Sequence, residues 1–186
     1  MTISDWERLG DETLMNYKVF RARRSRRRSP RTGQEIGFFL LDTPDWVNIL
    51  PLTPDGQIVM IRQFRHGTDR VSLEIPGGLV DPHEKDPLEA AARELREETG
   101  FQAEHLEPIG VMSPNPAMMT NRCFSYLATG CHRVGDLVMD AGEDIEVVTV
   151  PVAELDDLLC RGEIDHAIVL ATIAFWRARP PRHGSA

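Results

Sequence analysis

Three glutamates, Glu94, Glu97 and Glu98, stand at i, i+3 and i+4. On a helix their carboxylates share one face. Like charges so placed repel one another and weaken a bare helix, so the arrangement calls for compensating cations. Arg93 and Arg96 are interleaved with them and supply part of that charge. A hard, oxygen-seeking ion such as Mg²⁺ would supply the rest. Gly77-Gly78 lies upstream, where glycine lets backbone carbonyls approach the same ion. The alternative is a solvated helix with no chemistry, the natural reading of an isolated R-E-x-x-E-E. The ordered company of Gly78, Glu84 and Thr99-Gly100-Phe101 favours chemistry.

The elements that would position this face can be read from local signals. Asp86 suits a helix N-cap, Pro87 the first helical position and Glu89 the reciprocal capping position. Leu88, Ala91, Ala92 and Leu95 form an apolar stripe at helical spacing, and Gly100 supplies the stop. Upstream, strand-like segments at 17–24 and 35–41 flank a turn at 29–33 and predict a hairpin. Residues 47–52 and 57–64 flank a Pro54-Asp55-Gly56 turn, and 71–75 is a further short strand. Downstream, strands are expected at 106–112, 121–129 and 145–150, a helix from Pro151 to about residue 159, and a last helix over 164–178, ended by Pro180-Pro181. The order predicts an α/β fold with a mixed sheet covered by helices, preceded by a small β-rich extension. The expected divisions are an extension over 1–44, a main domain over 45–179 and a tail over 180–186.

Composition narrows the function classes. A chain of 186 residues with 41% hydrophobic and 27% charged residues is that of an ordinary globular protein. No apolar run approaches the roughly 20 residues of a membrane span. The start lacks the basic-then-apolar build of a signal peptide. Cys123, Cys131 and Cys160 are odd in number and lack metal-ligand spacing, which points to a reducing cytoplasm. The net charge of −8 argues against general nucleic-acid binding. Seven arginines between Arg21 and Arg31 run against that balance. They read as the solvated face of a hairpin, with a phosphate- or RNA-binding arm as the rival reading.

The stretch from Gly78 to Phe101 resembles the Nudix box, G-x5-E-x7-R-E-U-x-E-E-x-G-U, where U is bulky and aliphatic. Five residues separate Gly78 from Glu84, and Arg93 to Gly100 follows the pattern, with Phe101 at the last U. Eight residues rather than seven separate Glu84 from Arg93, the extra one falling in Lys85-Asp86-Pro87. The resemblance implies an α/β/α sandwich with a mixed sheet. It also implies Mg²⁺-dependent hydrolysis of a nucleoside diphosphate linked to another moiety, with Mn²⁺ able to substitute. By position, Glu94 and Glu98 are the main metal ligands, Glu97 and the Gly77 carbonyl auxiliary ones, and Arg93 orients the glutamates.

Other segments resemble the ADP-ribose pyrophosphatase branch of that family. Pro116 lies fifteen residues after Phe101, where the branch carries proline. Glu143, in Gly142-Glu143-Asp144-Ile145-Glu146-Val147, matches the acidic loop whose first glutamate acts as catalytic base; an exposed acidic turn is the alternative. Glu74-Ile75-Pro76-Gly77-Gly78 and Arg62-Gln63-Phe64-Arg65 resemble substrate-side segments. Arg65 would grip phosphate through paired donors or be a plain surface arginine. Trp46 would stack on a nucleobase or anchor the core. The branch implies a homodimer formed through the N-terminal extension and ADP-ribose as chief substrate; the net charge and the short apolar runs predict no nucleic-acid or membrane partner. Broader or GDP-sugar hydrolysis is the alternative within the enzyme class. A silent nucleotide-metabolite sensor is the alternative outside it.

Overall fold

A computed structural model describes residues 3–139, 142 and 144–180. The described residues divide into two compact units. The smaller comprises the chain up to Pro44 together with Ser113–Arg122, and the larger comprises Asp45–Met112 and the chain from Cys123 onward.

The smaller unit is a three-stranded antiparallel sheet of β1 (Glu7–Asn16), β2 (Arg21–Arg28) and β3 (Glu35–Asp42), with β2 in the middle. The expected hairpin is therefore wider than the sequence indicates. β1 carries register shifts between Arg8 and Gly10 and between Thr13 and Met15, and these bulges scramble the alternation that would announce a strand. Six of the seven arginines, those from Arg21 to Arg28, lie on the central strand, and Arg31 lies in the turn after it. The strand's guanidinium groups meet carboxylates on both neighbours: Arg21 and Arg23 reach Asp42, Arg23 also meets Asp11, and Arg28 bonds Glu7 and Glu35. The turn from Ser29 closes on Gly33 at φ 73°, with the Gly33 N–H donating to the Ser29 carbonyl.

The larger unit is built on a seven-stranded mixed sheet. Its main path is β12 (Ile145–Pro151), β5 (Gln57–Arg65), β4 (Trp46–Leu52), β10 (Cys123–Thr129) and β9 (His105–Met112). β6 (Arg70–Glu74) pairs with β5, and β7 (Gly77–Leu79) pairs with β4. β10 runs parallel to β4 and all other pairings are antiparallel. A two-stranded ribbon of β8 (Phe101–Gln102) and β11 (His132–Arg133) completes the strands. Helices cover both faces. α1 (Pro87–Thr99) sets Ala90, Ala91 and Leu95 against Val47, Ile49 and Tyr126. α2 (Leu155–Cys160) and α3 (Ala167–Arg177) set Leu155, Leu158, Val169 and Ile173 against Leu50, Ile58, Met60 and Leu127. This is the α/β/α sandwich with a mixed sheet that the sequence leads one to expect. No helix among the described residues is long and apolar enough to cross a membrane.

Candidate active site

α1 is fixed at both ends by local chemistry. Asp86 caps it by accepting from the Leu88 N–H at 2.9 Å, and Pro87 occupies the first turn. Glu89 reaches back to the Lys85 N–H at 3.3 Å, one residue earlier than a strict capping box requires. Gly100 ends the helix in the left-handed region at φ 73°. The extra residue between Glu84 and Arg93 is taken up before Pro87, so the helix keeps its register. With Ala90, Ala91 and Leu95 essentially fully buried, the opposite edge can present its acidic residues in one orientation only.

Arg93 is the hub of that edge. Its Nε donates to Glu84 Oε1 at 2.9 Å, and its Nη1 to Glu94 Oε1 at 2.8 Å and Glu97 Oε2 at 3.0 Å. Its Nη2 donates to the Leu79 carbonyl at 3.0 Å. These carboxylates, the Glu84 bond first, raise the Arg93 pKa further against the opposing effect of burial. The Glu84 carboxyl is in turn held below the ordinary glutamate range by Arg93, with burial opposing and the Asp81 N–H assisting at 2.7 Å. Glu98, 4% exposed, accepts from the Gly77 N–H at 2.8 Å. A Cβ on Gly78 would lie 2.2 Å from Glu94 Oε1, so only glycine lets that carboxylate lie against the chain.

Arg93, Glu94, Glu97, Glu98 and Gly77 therefore lie together, and Glu84 joins them. Among the described residues, no three His, Cys, Asp or Glu side chains converge closely enough to hold a metal ion as they stand. The donor set nonetheless fits a hard divalent cation. Three carboxylates surround the Arg93 guanidinium and a fourth, Glu98, is held nearby at Gly77, an excess of negative charge on oxygen ligands that such a cation would balance.

Arg65 and Glu74 meet each other. Nε and Nη2 of Arg65 donate to the two Glu74 oxygens at 2.8 and 2.7 Å. Glu74 is 1% exposed. Burial, the largest single influence, pushes its pKa up, but Arg65, His166 and Ser72 together outweigh this and leave the carboxyl below its usual value. Trp46 opens β4, half-buried, opposite Leu79 and Cys123. Pro116 is exposed in a turn of the smaller unit, where the Met118 and Met119 N–H groups donate to the Asn115 carbonyl. Glu143 lies outside the described residues. Two participants were missed by sequence reasoning. Glu84's bond to Arg93 was masked by the altered spacing, and the approach of His166 to Glu74 leaves no local signal.

The family model described as NUDIX domain matches residues 42–173. An ADP-ribose pyrophosphatase of Mycobacterium tuberculosis is 33% identical over 174 residues, covering 93% of this chain and 84% of that protein. An ADP-ribose pyrophosphatase of Bacillus subtilis is 32% identical over 112 residues, 60% of each. Among solved structures, a crystal structure of an ADP compounds hydrolase superposes with a TM-score of 0.83 at 25% identity, covering 95% of both chains.

Proposed function

The chain belongs to the Nudix hydrolase family, and on that premise we propose that it cleaves the pyrophosphate of a nucleoside diphosphate linked to a sugar, with ADP-ribose giving AMP and ribose 5-phosphate. The observation that carries this reading is the ring of Glu84, Glu94 and Glu97 about Arg93, with Glu98 held at Gly77. The choice of ADP-ribose is supported by the relative that spans most of both chains.

Glu94 and Glu98, with Glu97 and the Gly77 carbonyl, would hold Mg²⁺ or Mn²⁺, which when bound stabilises charge on the diphosphate. Arg93 keeps the glutamates aligned and lowers their mutual repulsion. Arg65, oriented by Glu74, meets an anionic group of the substrate, and Trp46 offers an aromatic face to the base. Glu143 accepts the proton of the attacking water, and Pro116 sets the shape of its own loop.

The test is product analysis over ADP-ribose, other ADP-sugars and GDP-sugars, with Mg²⁺ and with chelator. ADP-ribose should be the preferred substrate, and chelator should abolish turnover. Glu98→Gln should weaken Mn²⁺ binding and turnover together. Glu143→Gln should keep metal and substrate affinity while losing about 10²- to 10⁴-fold in rate, the usual share of a general base. Turnover in chelator would remove the metal from the reaction, and an active Glu143→Gln enzyme would move the base to Glu146 or Glu97. A preference for GDP-sugars would support the broader substrate reading, and binding without hydrolysis a sensor.

A further inference from the structure

The carboxylate of Glu74 has a second basic neighbour. His166 Nδ1 lies 3.4 Å from Glu74 Oε2, the same oxygen that accepts from Arg65 Nη2. His166 is the residue immediately before α3, yet its side chain makes no capping bond to that helix. Nδ1 is closed off from solvent and makes no hydrogen bond of good geometry. A ring nitrogen facing a carboxylate at this distance must carry its hydrogen to be tolerated there, because two acceptors would repel. Its chain neighbour Asp165 pairs with Arg70, and the neutral Ser72 hydroxyl also bonds the Glu74 carboxyl. The register places Gln63 opposite Ser72 on the same pair of strands, and Gln63 Oε1 is likewise buried without a partner.

We propose that His166 is a positioning residue for Arg65. Both lie against Glu74 Oε2, and through that carboxylate His166 restrains the guanidinium in the orientation in which it meets the substrate's anionic groups. The proposal rests on the reading that Arg65 contacts substrate, and adds a residue outside the box that tunes binding rather than chemistry. A carboxylate with one basic neighbour can swing about its own side-chain bonds and take the guanidinium with it. A second basic group against the same oxygen restricts that swing.

The experiment measures KM and kcat for ADP-ribose, AMP affinity by calorimetry in chelator, and melting temperature, for wild type, His166→Leu and His166→Asn. His166→Leu should raise KM and weaken AMP binding by about three- to tenfold, the lower range of coupling between side chains in contact, with kcat within about twofold of wild type. His166→Asn, whose amide nitrogen sits near the place of Nδ1, should recover most of the loss. In an Arg65→Lys background the leucine substitution should lose its effect on KM, since the group it positions is gone. Normal KM and AMP affinity in His166→Leu would overturn the inference alone, as would equal damage in both variants tracking a fall in melting temperature. A wild type that neither binds nor cleaves any nucleoside diphosphate sugar would overturn the proposed function, and this inference with it.

Discussion

Arg93 shows how one residue can govern a site. It is 27% exposed as a side chain and bonded to Glu84, Glu94 and Glu97, so part of the acidic face is neutralised without any metal. Glu84, with its side chain only 5% exposed, has most at stake, since a carboxylate removed from water without a partner is costly. Its pKa is depressed, first by Arg93. A depressed carboxyl stabilises the fold above its unfolded value, near 4.5, and loses that contribution as pH falls through the lower folded value. Urea midpoints of the wild type should therefore drop as pH falls from about 5 to about 3. Glu84→Gln should start from a lower midpoint at neutral pH and show a shallower acid limb. Identical acid limbs in the two proteins would assign the acid sensitivity to other carboxylates. The glutamate triplet was legible because i, i+3 and i+4 spacing is written in the chain. The tie of Glu84 to Arg93 was less so, because the altered spacing was absorbed in three dimensions. His166 was invisible, since its contact with Glu74 spans residues far apart in sequence and follows from packing alone.

At the scale of elements, the site is α1 laid against β7, and Gly78 is where they touch. An alanine there would drive its Cβ to 2.2 Å from Glu94 Oε1 and 2.5 Å from its Cδ. The obstructing atoms are the end of a side chain, so the chain fold can survive while the carboxylate is displaced. Gly78→Ala should keep a melting temperature close to wild type but raise the Mn²⁺ concentration for half-saturation by about tenfold or more, as disturbance of a metal site's supporting contacts does. A marked fall in melting temperature with unaltered Mn²⁺ affinity would show that the backbone yields instead and Glu94 stays. Elements with local punctuation were legible, and others were not. α1 was placed from Asp86, Pro87 and Gly100, whose capping roles depend on immediate neighbours. β7, β8 and β11 are two or three residues long and exist only through partners distant in sequence. α3 begins at Ala167 rather than 164, because Ile164 is buried in the core as part of the approach to the helix.

For the whole molecule, the open question is what covers the N-terminal sheet. Its strands carry Phe39 at 66% exposure, with Met15 and Leu14 also about half exposed, as is Tyr17 just after β1. Trp6 and Phe38 meet edge to face at 5.4 Å and are themselves more than a third exposed. A three-stranded sheet cannot bury two faces, and monomeric proteins seldom leave so many large apolar groups in water. The register sets Phe39 opposite Arg24 and Leu41 opposite Ala22, with Met15 opposite Ala22 on the other side. One face therefore mixes aromatic and aliphatic groups with arginines whose stems can also pack. We expect this face to meet a second copy of the chain, since a two-fold contact places the same patch on both sides and buries all of these groups at once. A net charge of −8 per chain opposes association at long range, but physiological salt screens that beyond about 8 Å. Light scattering at micromolar concentration should give twice the mass of one 21.0 kDa chain. Phe39→Glu would place a charge that must be stripped of water on the apolar part of this face and should give monomers. A wild-type monomer would refute the dimer outright. A Phe39→Glu dimer would move the contact to the face that carries Trp6 and Phe38.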